Sequence, residues 1–162
     1  MKKLFIQLDR CIGCQAHAAA CHRVRLQSPA LQSVDIEKAG IFPVLCRHCE
    51  EPACAAACPN EAMVRGEDGI VRRNPFRCTG CRSCVLACPF GVLGQGTKLS
   101  VFAMGKCDLC IARRNAGKEP ACVATCPTGA IRFEEVEEIP DGDREMVLGS
   151  HTIGYRTFIR RR

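Results

Sequence analysis

The chain has 162 residues, a formal net charge of +6, and 15 cysteines, but only seven Phe, one Tyr and no Trp. Core-filling side chains are too scarce for a plain hydrophobic-core fold of this length, so something held by sulfur must supply part of the interior. No stretch approaches the roughly 20 apolar residues of a membrane span.

In chain order, Leu4, Ile6 and Leu8 fall at every second position, the pattern of a half-buried strand. The first ligand group follows: Cys11, Cys14, His17 and Cys21, with a short helix expected over Gln15 to Arg23. The second is Cys46, Cys49, Cys54 and Cys58, then Pro59, with a helix over Ala53 to Ala57. Ala62-Met63-Val64-Arg65 and Ile70-Val71-Arg72 flank Gly66-Glu67-Asp68-Gly69, a hairpin signal. The third group is Cys78, Cys81, Cys84 and Cys88, then Pro89, with a helix over Arg82 to Ala87. Val92 to Phe102, holding Gly94 and Gly96, reads as a second hairpin or a crossing loop. The fourth group is Cys107, Cys110, Cys122 and Cys126, then Pro127, with a helix over Ala121 to Thr125 and a strand over Ala130 to Phe133. Beyond it lie the acidic Glu134, Glu135, Glu137 and Glu138, then Ile153, Tyr155, Phe158 and Ile159 beside Arg156, Arg160, Arg161 and Arg162. This last stretch reads either as a docking segment or as a peripheral strand with a frayed end.

Three chemistries compete for the cysteines. Disulfides fit poorly. Met1 to Arg10 carries no long apolar run, no cleavage site and no twin-arginine pair, so a cytoplasmic location is expected, where thiols stay reduced. Zinc could use the fourth group, a C-x2-C with a distant second pair, but suits the second and third groups badly. The third group is the C-x2-C-x2-C-x3-C-P run that wraps three thiolates around one cuboidal iron–sulfur cluster and lends its fourth to a neighbour. Fifteen cysteines plus His17 fill four such groups, which implies two paired units and four clusters.

Cys11-Ile12-Gly13-Cys14, Cys46-Arg47-His48-Cys49-Glu50-Glu51-Pro52-Ala53-Cys54, and Lys106-Cys107-Asp108-Leu109-Cys110 followed by Pro120-Ala121-Cys122 carry a specific resemblance. As a set they resemble the four-cluster electron-transfer subunits of molybdenum and tungsten oxidoreductases, formate dehydrogenases, hydrogenases and carbon monoxide dehydrogenase. The resemblance covers about residues 3 to 133.

The resemblance implies that group one pairs with group four, and group two with group three. The first 4Fe–4S cluster would take Cys11, Cys14, His17 and Cys126, and the second Cys107, Cys110, Cys122 and Cys21. The third would take Cys46, Cys49, Cys54 and Cys88, and the fourth Cys78, Cys81, Cys84 and Cys58. In that order they would form a wire, with the His17 cluster at its end. The implied fold is α+β, two nested ferredoxin-like units of short hairpins and short helices. Residues 46–89 would form the inner unit, residues 1–45 with 90–133 the outer, and 134–162 a C-terminal extension.

Thiolate-bound clusters are negative, so the excess of Arg and Lys offsets them and nucleic-acid binding loses its main support. Arg10, Arg47, Arg77 and Lys106, each near a ligand, are expected to stabilise reduced clusters. His22 and His48 are expected to pack ordinarily beside ligands, with hydrogen bonding around a cluster as the other reading. No phosphate loop or nucleophile signature is present.

The expected function is single-electron transfer between a catalytic subunit and a second redox partner, with no substrate site of its own. The catalytic partner would be a tungsten or molybdenum aldehyde or formate oxidoreductase, or a hydrogenase or carbon monoxide dehydrogenase, with compactness leaning toward the aldehyde type. A free-standing polyferredoxin and an iron–sulfur assembly or sensing protein are the alternatives.

Overall fold

The computed structural model describes residues 2–25, 30–36, 40–93, 105–135, 144–148 and 152–157. The main sheet has four strands in the order β6-β1-β8-β7. Strand β1 (Lys2–Gln7) pairs antiparallel with β6 (Ile131–Glu135) and parallel with β8 (Thr152–Thr157), which pairs antiparallel with β7 (Arg144–Leu148). Two hairpins stand apart from it: β2 (Leu31–Ile36) with β3 (Gly40–Leu45), and β4 (Met63–Arg65) with β5 (Val71–Arg73). The described residues also form five short helices: α1 (Ala16–Arg25), α2 (Ala53–Ala56), α3 (Ser83–Ala87), α4 (Ile111–Asn115) and α5 (Ala121–Ala124). Among the described residues no helix is long and apolar enough to cross a membrane.

Strand β1 departs from the expected alternation. Leu4, Phe5 and Ile6 are all buried, and Leu8 falls in a 3-10 turn over Leu8–Arg10 rather than in the strand. The physical reason is position. A strand held between two others with both faces covered is apolar throughout rather than every second residue. Its pairing with β6 brings the chain entering the first cysteine group beside the chain leaving the fourth, and Gln7 N–H donates to Ala130 O at 2.8 Å.

The expected hairpin at 62–72 is β4–β5, and the expected strand at 130–133 is β6. Helices α2 and α5 start after the prolines of Glu51-Pro52-Ala53-Cys54 and Glu119-Pro120-Ala121-Cys122. Proline's fixed φ and missing N–H suit the start of a helix. Helix α4 and the β2–β3 hairpin are additions to the sequence reading. Pro43 is tolerated in β3 because a two-stranded hairpin leaves an edge free of ladder bonds. Of the crossing stretch at Val92 to Phe102, only Val92 and Leu93 fall within the described residues. Two strands of the stretch beyond residue 133, β7 and β8, extend the main sheet, with β8 next to β1.

Cysteine is part of the packed interior. One core gathers Leu4, Ile6, Leu45, Ile70, Leu109 and Ile131 around Cys21 and Cys122. A second gathers Met63, Val92 and Leu93 around Cys46 and Cys84, with Cys54, Cys58, Cys88 and Cys107 at its edge.

Candidate metal centres

Each cysteine group opens with C-x2-C, and in all four the residue before the second cysteine has a left-handed backbone. These are Gly13 (φ 69°), His48 (φ 49°), Gly80 (φ 74°) and Leu109 (φ 53°). The three groups that end in Cys-Pro share a second feature. Glu61, Gly91 and Gly129 follow the last cysteine by three residues, all with positive φ (48°, 58° and 61°). Their N–H groups donate to the carbonyls of Cys58, Cys88 and Cys126 at 3.2, 3.1 and 3.3 Å. Glycine adopts this conformation freely, whereas His48, Leu109 and Glu61 are side chains that rarely do. The same turn therefore recurs whatever residue fills it, and strain of this kind gathers at functional sites. Left-handed turns also aim successive N–H groups into a concavity, which suits a negative occupant. Group one departs at its end, because no proline follows Cys21 and the residue lies inside α1.

Two of the four expected ligand sets surround cavities. Cys46, Cys49, Cys54 and Cys88 line one, together with Pro52, Val71 and Phe90. Cys58, Cys78, Cys81 and Cys84 line another, with Met63, Asn60 and Arg77. In each case three cysteines come from one run and the fourth from the other. Asn60 ties the runs together, its amide donating to Thr79 Oγ1 at 3.2 Å and Arg77 O at 3.4 Å.

A third set is gathered less closely. Burial pushes the Cys122 thiol up to about 12, and the thiols of Cys110 and Cys21 add to the effect. Cys107 is raised by burial, then by Cys46 and Cys122, so it borders two sets. Cys11, Cys14, His17 and Cys126 are related through their elements. His17 lies in α1, α1 packs on α5, and Cys126 closes the turn after α5. His17 is buried, and burial lowers its pKa below the usual histidine value, which favours neutral imidazole.

The donor set fits a cluster. Burial, then neighbouring thiols, drives Cys54 up to about 11 despite the opposing pull of Lys106, and Cys84 rises for the same two reasons. Thiols crowded like this ionise together only when a positive core compensates them. Protein hydrogen bonds already point at several sulfurs: Ala62 N–H donates to Cys58 Sγ at 3.2 Å and Leu109 N–H to Cys107 Sγ at 3.5 Å. For Cys126 desolvation raises the thiol, but hydrogen bonds from Ile131, Thr128 and Ala130 outweigh it and hold the pKa low. Among the described residues no three His, Cys, Asp or Glu side chains converge as ligands of a single ion. Two of the four sets stand around cavities instead, as the corners of a cuboidal cluster would.

The four cations expected near ligands differ in place. Lys106 is buried, and its ammonium donates to Cys46 Sγ at 3.1 Å. Arg47 places its guanidinium 3.9 Å from the Phe90 ring centroid, within electrostatic reach of Cys49 and Cys88. Arg77 lines the Cys58 cavity and meets Glu61 at 3.6 Å, both side chains being exposed. Arg10 is exposed on the 3-10 turn. His22 is exposed, whereas His48 is fully buried and accepts a hydrogen bond from Val71. The left-handed His48 and Leu109 are features that sequence reasoning missed; position within C-x2-C was the available signal.

A family profile described as a 4Fe–4S dicluster domain matches residues 38–136. The chain is 38% identical over 142 residues to the thiosulfate reductase electron transfer subunit of Salmonella typhi, covering 80% of this chain and 73% of that protein. It is 34% identical over 153 residues to the B subunit of the anaerobic dimethyl sulfoxide reductase of Escherichia coli K12, covering 83% and 74%. It is 33% identical over 177 aligned positions to the iron–sulfur subunit of the nitrate-inducible formate dehydrogenase of the same organism, covering 93% and 60%.

Proposed function

We propose that this chain, which belongs to the 4Fe–4S dicluster-domain family of iron–sulfur electron-transfer subunits, carries four 4Fe–4S clusters that relay single electrons to or from a catalytic subunit. A 4Fe–4S cluster supplies a one-electron couple; the chain supplies its ligands, its surroundings and its spacing from the next. The proposed ligand sets are Cys11, Cys14, His17, Cys126; Cys107, Cys110, Cys122, Cys21; Cys46, Cys49, Cys54, Cys88; and Cys78, Cys81, Cys84, Cys58. The nested arrangement, 46–89 inside 1–45 and 90–133, belongs to the same proposal.

The observation that supports this most is the exchange of fourth cysteines. Cys88 lines the cavity of the Cys46 run, and Cys58 lines that of the Cys78 run. Such an exchange holds two clusters beside each other, which a relay needs and a single-ion site does not.

The relatives include subunits named for thiosulfate reductase, dimethyl sulfoxide reductase and formate dehydrogenase. On that ground the catalytic partner is proposed to be an oxidoreductase of this group, ahead of an aldehyde oxidoreductase, hydrogenase or carbon monoxide dehydrogenase. A second redox partner would complete the relay. Anaerobic purification is to yield about 16 iron and 16 acid-labile sulfide per chain, four of each per cuboidal cluster. It is also to yield a large catalytic subunit at fixed stoichiometry. Zinc in place of iron would refute the cluster reading, and a chain recovered alone with full iron would favour a free shuttle.

A further inference from the structure

Lys106 is a buried lysine, 3% exposed, immediately before Cys107. Its Nζ donates to Cys46 Sγ at 3.1 Å and to the carbonyl oxygen of Cys107 at 3.2 Å. Among the described residues no carboxylate pairs with it. A buried ammonium is costly unless negative charge faces it. Here it faces the sulfur of a ligand in one set and the carbonyl of a ligand in the next.

We propose that Lys106 sets the reduction potential of the cluster held by Cys46, Cys49, Cys54 and Cys88, raising it relative to the neighbouring cluster held by Cys107, Cys110, Cys122 and Cys21. The inference rests on the ligand sets proposed above. Taking up one electron makes that site one charge more negative, with no bond made or broken and no proton required. A fixed cation bonded to one of its ligand sulfurs stabilises the reduced state more than the oxidised one. Charge-assisted hydrogen bonds to sulfur are among the levers that set cluster potentials. The contact to Cys107 is to its carbonyl, not to its sulfur, so the second cluster feels the charge without the bond. Lys106 thereby makes two adjacent sites unequal.

The test uses the anaerobically prepared, iron-loaded full chain. Lys106→Met and Lys106→Gln are compared with wild type by redox titration followed by electron paramagnetic resonance. In Lys106→Met one cluster signal is to lose at least tenfold in its reduced-to-oxidised ratio at a given potential, a midpoint 59 mV lower for a one-electron couple. A second signal is to move the same way by less, and the other two are to stay. Gln, which keeps a donor and loses the charge, is to shift less than Met. Four unmoved signals, or four that move alike, overturn the proposal. If Lys106→Met loads less iron, Lys106→Arg replaces it: the retained cation is to hold the midpoint nearer wild type than Gln does, and an Arg shift as large as that of Gln overturns the proposal. Wild-type iron near 16 per chain with no shift in the variants refutes the role of Lys106 alone; wild type lacking that iron refutes the cluster reading as well.

Discussion

His48 Nδ1 accepts the backbone N–H of Val71 at 3.1 Å, joining the Cys46–Cys49 loop to strand β5 through a side chain with no solvent exposure. Val71 lines the same cavity as Cys46, Cys49, Cys54 and Cys88, so this bond fixes one wall of the site to its ligand loop. His48→Ala leaves the buried Val71 N–H without its acceptor, a loss of about 1–3 kcal/mol before packing is counted. His48→Asn is to lose less, because Asn tolerates the left-handed backbone and brings its own acceptor. Anaerobic unfolding of the iron-loaded variants measures both. Equal stability of Ala and wild type would show that the bond contributes nothing.

Cluster removal is to unfold much of the chain. Cys21, Cys122, Cys46 and Cys84 are counted among its buried core residues, so ligands and core are the same side chains. Metal binding to such a site is coupled to folding. Anaerobic chelation is to abolish the cooperative thermal transition and most of the helical circular dichroism. A persistent transition in the iron-free chain would show that the apolar contacts suffice.

The β4–β5 hairpin offers a test away from the cysteines. Arg72 clamps Asp68, with Nη1 to Oδ1 at 2.9 Å, and this hydrogen bond holds the Asp68 carboxyl below the usual carboxylate range. A depressed folded-state pKa stabilises above the unfolded value of about 3.9, and the gain is lost as pH falls through the lower folded value. The pair is partly exposed, so the gain is no more than a few tenths of a kcal/mol. A Cβ at Gly66 would press on the Arg72 guanidinium and come within 2.7 Å of Asp68 Oδ1. Gly66→Ala is therefore to open the clamp and let the Asp68 titration, followed by nuclear magnetic resonance, move up toward the ordinary value. An unmoved titration would show that the side-chain ends yield without parting.

Legibility in the sequence followed the range of the interactions. Cys78, Cys81, Cys84 and Cys88 were readable because C-x2-C-x2-C-x3-C-P spacing is local geometry. The β4–β5 hairpin was readable from Gly66-Glu67-Asp68-Gly69 for the same reason. The pairing of Leu4 with Thr152 was not, since nothing near either residue records so distant a neighbour. That hidden partner also makes β1 an inner strand of its sheet: periodicity expects Phe5 outside, whereas Leu4, Phe5 and Ile6 are all buried, so both faces of the strand are covered. Helix α4 escaped notice because Ile111–Asn115 is one turn long and rich in arginine, with no apolar period to read. The left-handed Leu109 escaped because leucine itself rarely adopts positive φ, and only its place within C-x2-C marked it. Lys106 was legible as a nearby cation, but its burial and its bond to Cys46 depend on a contact 60 residues away in sequence.

His17 carries the last prediction. It occupies the third slot of the first group, and α1 holds it one turn before Cys21, on the same helix face. It is 5% exposed, and its burial favours the neutral ring, the form of imidazole that binds metals. A neutral ligand in place of a thiolate leaves a cluster one charge less negative, so adding an electron costs less and the potential rises, as it does when histidines replace cysteines in Rieske centres. His17→Cys restores a full cysteine set. It is to lower the midpoint of one cluster by roughly 59 mV or more, a tenfold change in its one-electron equilibrium, while the other three hold and total iron is unchanged. Redox titration with electron paramagnetic resonance on the full chain reads all four signals together. Four unshifted midpoints, or a stable three-iron signal in the wild-type protein that the substitution converts to a four-iron one, would show that His17 is not a ligand.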